Sequence, residues 1–367
     1  MRFVSRLAPS NPPEPLCAVC LRRSRLTSAA LGVCGDCIRT RPERALAIAA
    51  SVHGETRRTF GLPASPPQTA GGVACPLCAR ECRLGPGERG YCGLRTANRG
   101  RLVHLGGTPR RGILHWYRDP LPTNCVADWV CPGRGQPGRH NLAVFYASCT
   151  LNCLFCQNWH FRGVSPLRER GLSAAELADA ANAETFCVCF FGGDPASQML
   201  HALAAGQRLA ERDVAVCWET AGTSNPRLLD RAVQLSLESH GCIKFDLKAH
   251  TEALHVALTG ASDRRTLENF ARAAQRFDDR PNPPLVIAST LLVPGYVDAA
   301  EVGRIARFIA TLNPNIPYSL LGFAPQFYMS DLPPTSRRHA EEAEAAAREA
   351  GLTNVRIGNR HLLSGDY

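Results

Sequence analysis

Cys149-Thr150-Leu151-Asn152-Cys153-Leu154-Phe155-Cys156 sets three thiols in eight residues, spaced C-x3-C-x2-C. It follows an apolar run, Leu142 to Ala147, that reads as a buried strand. A loop this short aims three sulfurs at one point. Clustered soft thiolates select zinc, copper(I) or iron–sulfur. A four-iron cluster normally takes four thiolates. Three leave one iron without a protein ligand, and an open iron is a place for chemistry. The competing reading is a structural zinc loop completed by a fourth ligand elsewhere in the chain.

The rest of the chain is read around that loop. At 367 residues it has room for one large domain and one or two small modules. No apolar run is long enough to cross a bilayer. Met1 to Pro15 lacks the apolar core of a signal peptide, so a cytoplasmic protein is expected. Its 17 cysteines are then grouped for metal rather than for disulfides. Eleven fall in three groups: Cys17, Cys20, Cys34 and Cys37; Cys75, Cys78, Cys82 and Cys92; and the loop itself. Of the other six, Cys187, Cys189, Cys217 and Cys242 lie in apolar strand-like runs and read as small core residues. Cys125 and Cys131 sit in a loop and read either as packing, the commoner case, or as thiols that approach a metal or the substrate. The net charge is +10, which reads as a solvated arginine-rich surface, because no block of basic residues is interleaved with aromatics as in a nucleic-acid site. Among 42 basic residues only Lys244 and Lys248 are lysine. A chain that uses arginine almost everywhere needs a compact ammonium at those two positions.

Two C-x2-C knuckles, Cys17 to Cys20 and Cys34 to Cys37, predict a zinc ribbon or a rubredoxin-like iron site, in a module over residues 1–50 that ends in a short helix from Arg41 to Ala50. Residues 51–72 carry Pro63, Pro66 and Pro67 and have linker composition, so the ribbon is expected to move independently. Residues 73–140 hold the second quartet, Cys75-x2-Cys78-x3-Cys82-x9-Cys92, a closed four-thiol site for zinc or additional iron. From 141 to 367, apolar runs at 142–148, 185–191, 214–220, 241–248, 285–293 and 318–323 alternate with helical patterns near 173–184, 196–212, 226–237, 263–276, 299–312 and 336–350. Residues 354–358 add a short final strand. Six strand–helix units predict a parallel sheet with right-handed crossovers, curled into a partial (β/α)6 barrel.

Reactive side chains of such barrels gather at the C-terminal ends of the strands. The first strand runs into the cysteine loop. The second ends in Gly192-Gly193-Asp194-Pro195, where glycines admit a ligand to the backbone and Asp194 offers a carboxylate to an ammonium. The third ends in Trp218-Glu219-Thr220-Ala221-Gly222 and the fourth in Asp246-Leu247-Lys248. Lys244, Asp246 and Lys248 share one strand face, an expensive arrangement unless it meets partners.

The cysteine loop, with Gly192-Gly193-Asp194-Pro195, the Asp-Leu-Lys string and CPLCARECRLGPGERGYCGLR from residue 75, resembles the radical S-adenosylmethionine (radical SAM) enzymes. Within them it resembles the AmmeMemoRadiSam and pyruvate formate-lyase activating enzyme group, over residues 75–367. The resemblance implies a [4Fe-4S] cluster on Cys149, Cys153 and Cys156. Its open iron chelates SAM, and an external low-potential donor supplies the electron that yields methionine and a 5′-deoxyadenosyl radical. It makes Gly192, Gly193, Asp194, Glu219, Asp246 and Lys248 the SAM contacts, with a protein or peptide among the candidate substrates. His255, Thr259-Gly260, Leu292 to Gly295 and Phe327 to Thr335 also match the family. Relatives carry His in strings like Phe-His-Pro after the sixth strand, where this chain has Phe323-Ala324-Pro325. The rival from another class is a non-catalytic metal–thiolate module that binds nucleic acid or a protein partner.

Overall fold

The computed structural model describes residues 14–123, 125–365 and 367; the first part of the 1–50 module and the start of the chain lie outside them. Two small hairpins come first, β1 (Val73–Ala74) with β2 (Arg83–Leu84) and β3 (Arg95–Asn98) with β4 (Arg101–His104). The main sheet has eight strands: β5 (Leu114–Pro120), β6 (His140–Tyr146), β7 (Thr185–Phe191), β8 (Ala215–Thr220), β9 (Ile243–Asp246), β10 (Val286–Leu292), β11 (Tyr318–Gly322) and β12 (Val355–Gly358). They lie side by side in chain order. All neighbours are parallel except β5, which pairs antiparallel with β6. The α/β fold with a large, mostly parallel sheet is as expected; β5 is an edge strand that the sequence pattern does not reveal.

Helices α1 (Gly35–Thr40), α2 (Pro42–Arg58), α3 (Ala174–Ala178), α4 (Met199–Ala210), α5 (Pro226–Glu238), α6 (Glu252–Thr259), α7 (Arg264–Ala274), α8 (Ala299–Leu312) and α9 (Arg337–Glu349) complete the chain. Local chemistry fixes several starts. Ser173 and Glu176 form a reciprocal capping box on α3. Asn225 caps α5 with Pro226 at its first position. Asp298 accepts from Glu301 N at the head of α8. α6 fills the interval after β9 where no helix is expected from the pattern.

Alternation along the strands builds two cores. Val188, Phe190, Val216, Trp218, Ile243 and Phe245 face outward into the main hydrophobic layer under the helices. Cys187, Cys189, Ala215, Cys217, Cys242 and Ile287 face inward and form a separate cluster with Ala127. Inward residues of β7 to β12 border one common cavity, so the sheet is curled around it. The segment joining β5 to β6 crosses that hollow. Trp129 Nε1 donates to Ser319 Oγ at 3.0 Å, Ser319 Oγ donates to Val126 O at 2.7 Å, and Arg356 pairs with Asp128 at 3.8 Å.

The N-terminal ribbon is docked on the barrel. Ser28 N donates to the Tyr296 hydroxyl, which donates to Val33 O, each at 2.9 Å. Asp331 accepts from Ser28 Oγ and Ala29 N. Arg39 pairs with Asp298 at 3.1 Å. α2 does not stop at Ala50 but runs on to Arg58, into the stretch whose composition reads as linker. Its second half packs against α6 and the cysteine loop, and that burial carries the helix further than its propensities predict.

Burial drives the imidazoles of His53, His201 and His255 down to about 4. In the unfolded chain they protonate near 6.5, so below that pH the unfolded state binds more protons than the folded one. Stability is therefore fully present above pH 6.5 and is lost as the pH falls toward 4. Melting curves across pH 4–8 should be flat above 6.5 and drop by on the order of 10 °C below it. A His53→Gln variant with an unchanged acid limb would exclude His53 from the effect.

Candidate active site

The cysteine loop leaves β6 and is held from all sides. Asn152 N donates to Thr259 O at 2.8 Å and Leu154 N to Leu258 O at 3.1 Å, which docks the loop on the end of α6. The Asn152 side chain, fully buried, donates to His53 Nδ1 at 2.9 Å and Thr56 Oγ1 at 2.8 Å, both on α2, and accepts from Arg162. Arg80, from the second cysteine module, donates to Thr150 O and to Gly260 O, each at 2.6 Å. Thr150 Oγ1 meets Thr223 Oγ1 at 2.6 Å. Sequence reading missed Asn152, Arg80 and Arg162; nothing in their local pattern marks them, because their partners are remote in the chain.

Cys149, Cys153 and Cys156 all line a cavity of about 550 Å³ inside the curled sheet. Burial pushes the Cys149 thiol up, and the Cys153 thiol up to about 12. Both are therefore protonated at neutral pH, and any metal that takes them displaces protons. Gly192, Gly193, Asp194, Glu219, Asp246 and Lys248 border the same cavity, so the structure brings together the six residues that the resemblance makes SAM contacts.

The glycine pair is sterically obligatory. Both residues have positive φ, +63° and +59°. A Cβ on Gly192 would lie 1.9 Å from the Phe145 ring, and one on Gly193 would lie 2.1 Å from Tyr146 O. Asp194 is 3% exposed and accepts three hydrogen bonds: from Ala196 N at 2.8 Å, Thr220 Oγ1 at 3.0 Å and Ala221 N at 3.0 Å. Burial raises its carboxyl above the usual range against those bonds. Asp194 thus ties the loop after β7 to the loop after β8 and keeps spare acceptor capacity for a ligand.

Lys248 pairs with Asp246, and its Nζ lies 5.7 Å from the centre of the Phe155 ring. Burial would lower the ammonium's pKa, but the charge of the Asp246 carboxylate raises it instead. Asp246 Oδ1 is buried without a hydrogen-bond partner. An orphaned acceptor is costly unless a ligand supplies a donor. Glu219 is placed differently from a purely ligand-facing acid: its Oε1 lies 3.0 Å from the buried Lys244 Nζ.

The two N-terminal quartets differ. The sulfurs of Cys17, Cys20, Cys34 and Cys37 all lie within 4.8 Å of one another, a donor set for one tetrahedral ion. Arg22 brings the Cys20 thiol down to about 6, ready to ligate. No other group of three such donors among the described residues is that tight. Cys75, Cys78, Cys82 and Cys92 therefore do not gather to single-ion spacing; Cys75 and Cys82 pack with Leu84, Tyr91 and Ala97. The same wider spacing holds for Cys149, Cys153 and Cys156. It suits a group several atoms across, as an iron–sulfur cluster is.

A curled, mostly parallel sheet with an open three-thiol loop after its first parallel strand defines a cluster-dependent enzyme class. The comparisons identify it. Residues 143–309 match the family model of the radical SAM superfamily, and this part of the chain is a radical SAM domain. An uncharacterised protein of Methanocaldococcus jannaschii is 23% identical over 299 residues, 78% of this chain and 81% of that one. An isethionate sulfite-lyase activating enzyme of Oleidesulfovibrio alaskensis is 28% identical over 181 residues, 47% of this chain and 53% of that enzyme. The chain thus spans about half the length of that activating enzyme. A solved domain of pyruvate-formate lyase-activating enzyme from Bacteroides vulgatus is 20% identical, covering 47% of this chain and 99% of the domain, with a TM-score of 0.38. Residues 143–309 thus carry the radical SAM domain, and the relatives named as activating enzymes are enzymes of that kind. No helix among the described residues is long and apolar enough to cross a membrane.

Two substitutions test the site. Gly193→Ala should cost about 1–3 kcal/mol from backbone strain alone, read as a lowered Tm. Lys248→Arg keeps the charge but not the compact head. It should weaken SAM binding by about tenfold or more, the scale of one charge-assisted hydrogen bond, with iron content unchanged. Wild-type affinity in Lys248→Arg would remove the case for a lysine-specific niche.

Proposed function

We propose that this protein cleaves SAM reductively at the cavity described above and uses the outcome to abstract hydrogen from a protein or peptide substrate, as a glycyl-radical activase does. The single observation that carries the reading is the three-thiol loop opening onto a polar cavity whose Asp246 acceptor lacks a partner. Relatives named as activating enzymes support the substrate class. Bound to Cys149, Cys153 and Cys156, a four-iron cluster would supply one iron without a protein ligand and, fed by an external low-potential donor, the electron that splits the SAM sulfonium.

The chain's own residues then have separable tasks. Gly192 and Gly193 let the backbone come close to the ligand. Asp194 holds the two loops and offers its remaining acceptor capacity to the SAM ammonium. Asp246 Oδ1 accepts from a ligand donor, and Lys248 pairs with the other carboxylate oxygen. Glu219 reaches the same cavity from its pair with Lys244. Arg162, Arg356, Arg360 and His361 also line the cavity and suit a carboxylate of ligand or substrate. Ala324 stands where the family it resembles carries His, which counts against the pyruvate formate-lyase activating reaction itself. The ribbon quartet, by the same reasoning, holds zinc or a single iron.

A non-catalytic binding module is the weaker reading. Such modules close their metal sites with four ligands, and the loop thiols face a cavity instead.

Anaerobic reconstitution with iron and sulfide, followed by SAM and a reductant, should yield 5′-deoxyadenosine. Cys149→Ala, Cys153→Ala and Cys156→Ala should each abolish it and remove the SAM-responsive EPR signal. A reconstituted wild-type protein that makes no 5′-deoxyadenosine, or a triple variant with an unaltered signal, would overturn the reading.

A further inference from the structure

Two cavities share a wall inside the barrel. Behind the SAM cavity lies an inner one of about 290 Å³, and the two meet at Cys125, Asp128, Phe191, Glu219 and Lys244. Cys187 and Cys189 of β7, Cys217 of β8 and Cys242 just before β9 border the inner cavity. Tyr117, on the edge strand β5, borders it too and is 44% exposed, so the cavity reaches the surface beside that strand. Its volume is near the lower end for ligand pockets.

Of the five shared residues, only Cys125 carries a weakly bonded hydrogen on its polar atom. It comes from the segment that crosses the barrel, and three groups fix it there. Lys244 Nζ donates to the sulfur at 3.0 Å and Ala127 N at 3.4 Å, while the thiol donates to Glu219 Oε1 at 3.5 Å. Lys244, fully buried, is held in turn by Glu219 at 3.0 Å and by Cys189 Sγ at 3.1 Å. Burial, set against the Lys244 charge, pushes the Cys125 thiol up to about 12, so it keeps its hydrogen at neutral pH. A nucleophile or a metal ligand would be held as the thiolate instead.

We propose that Cys125 is a further catalytic residue, relaying a hydrogen atom between the SAM cavity and a peptide glycine presented in the inner cavity. This rests on the SAM cleavage proposed above. Cys125 gives its thiol hydrogen to the 5′-carbon radical that cleavage leaves: the S–H bond breaks and a C–H bond forms. The thiyl on Cys125 then takes a hydrogen atom from the glycine: the substrate Cα–H bond breaks and the S–H bond forms again. The net change is one hydrogen atom moved from substrate to 5′-deoxyadenosine, with the thiol restored. It uses no oxidant or reductant beyond the electron that splits SAM. Both transfers run downhill. An S–H bond is weaker than the C–H bond of a primary alkyl carbon, and stronger than the Cα–H of a peptide glycine, whose radical is delocalised over two amides.

The test uses the reconstituted full chain with SAM and a reductant in deuterium oxide, without peptide. The Cys125 thiol then carries deuterium by exchange, and the reductant restores it after each transfer. Mass spectrometry of the product should show one deuterium on the 5′-carbon of 5′-deoxyadenosine from the wild type. Cys125→Ser, whose O–H bond is too strong to give up hydrogen, should lose that label. Cys189→Ser keeps an acceptor for Lys244 and does not border the SAM cavity, and it should keep the label. Unlabelled 5′-deoxyadenosine from the wild type would overturn the relay and leave SAM cleavage standing, whether or not a variant folds. Equal labelling in the wild type and Cys125→Ser would also overturn it. No 5′-deoxyadenosine at all would overturn SAM cleavage and the relay with it.

Discussion

The buried Asn152 amide is the constraint on which the site rests. The loop that carries the three thiols takes most of its hydrogen-bond partners from outside itself. Asn152 reaches His53 and Thr56 on one side and Arg162 on the other, while its N–H docks on α6. A buried amide costs stability unless its groups are paired, so His53, Thr56 and Arg162 are required together. That is why α2, far upstream in sequence, is part of the barrel's chemistry. Removing the N-terminal segment would strip partners from the loop as well as the four-sulfur donor set of the ribbon.

Much of this was legible in the sequence. Strand periodicity placed β6 to β12 within about two residues of their observed ends, because parallel strands buried on both faces are written as plain apolar runs. The glycine pair and the Asp-Leu-Lys string were legible because each needs a residue type with few substitutes. β5 was not, because LHWYRDP alternates partly buried and exposed positions as an edge strand does and mixes polar residues throughout. α6 was missed because it is eight residues long and its Thr251 start makes no side-chain cap.

The cysteines show the limit most clearly. One at a time, Cys187, Cys189, Cys217 and Cys242 look like small apolar residues, and their strand context supports that reading. Only the sheet register sets them at neighbouring levels of one chamber. Glu219 is the same lesson in charge: its string points to a ligand-facing acid, while the register puts it opposite Lys244. Long-range partners decide what a motif residue does, and a local pattern does not contain them.

Both lysines of the chain are inside the barrel, Lys244 with 2% and Lys248 with 12% of its side chain exposed. The surface therefore bears no side-chain amine at all. Acylating reagents, amine-directed crosslinkers and lysine-modifying enzymes have no external side chain to act on in the folded protein. Its positive charge is carried by groups that such reagents ignore. The only side-chain amines that chemistry of this kind can reach are the two inside the barrel cavity, and a bound ligand would shield them.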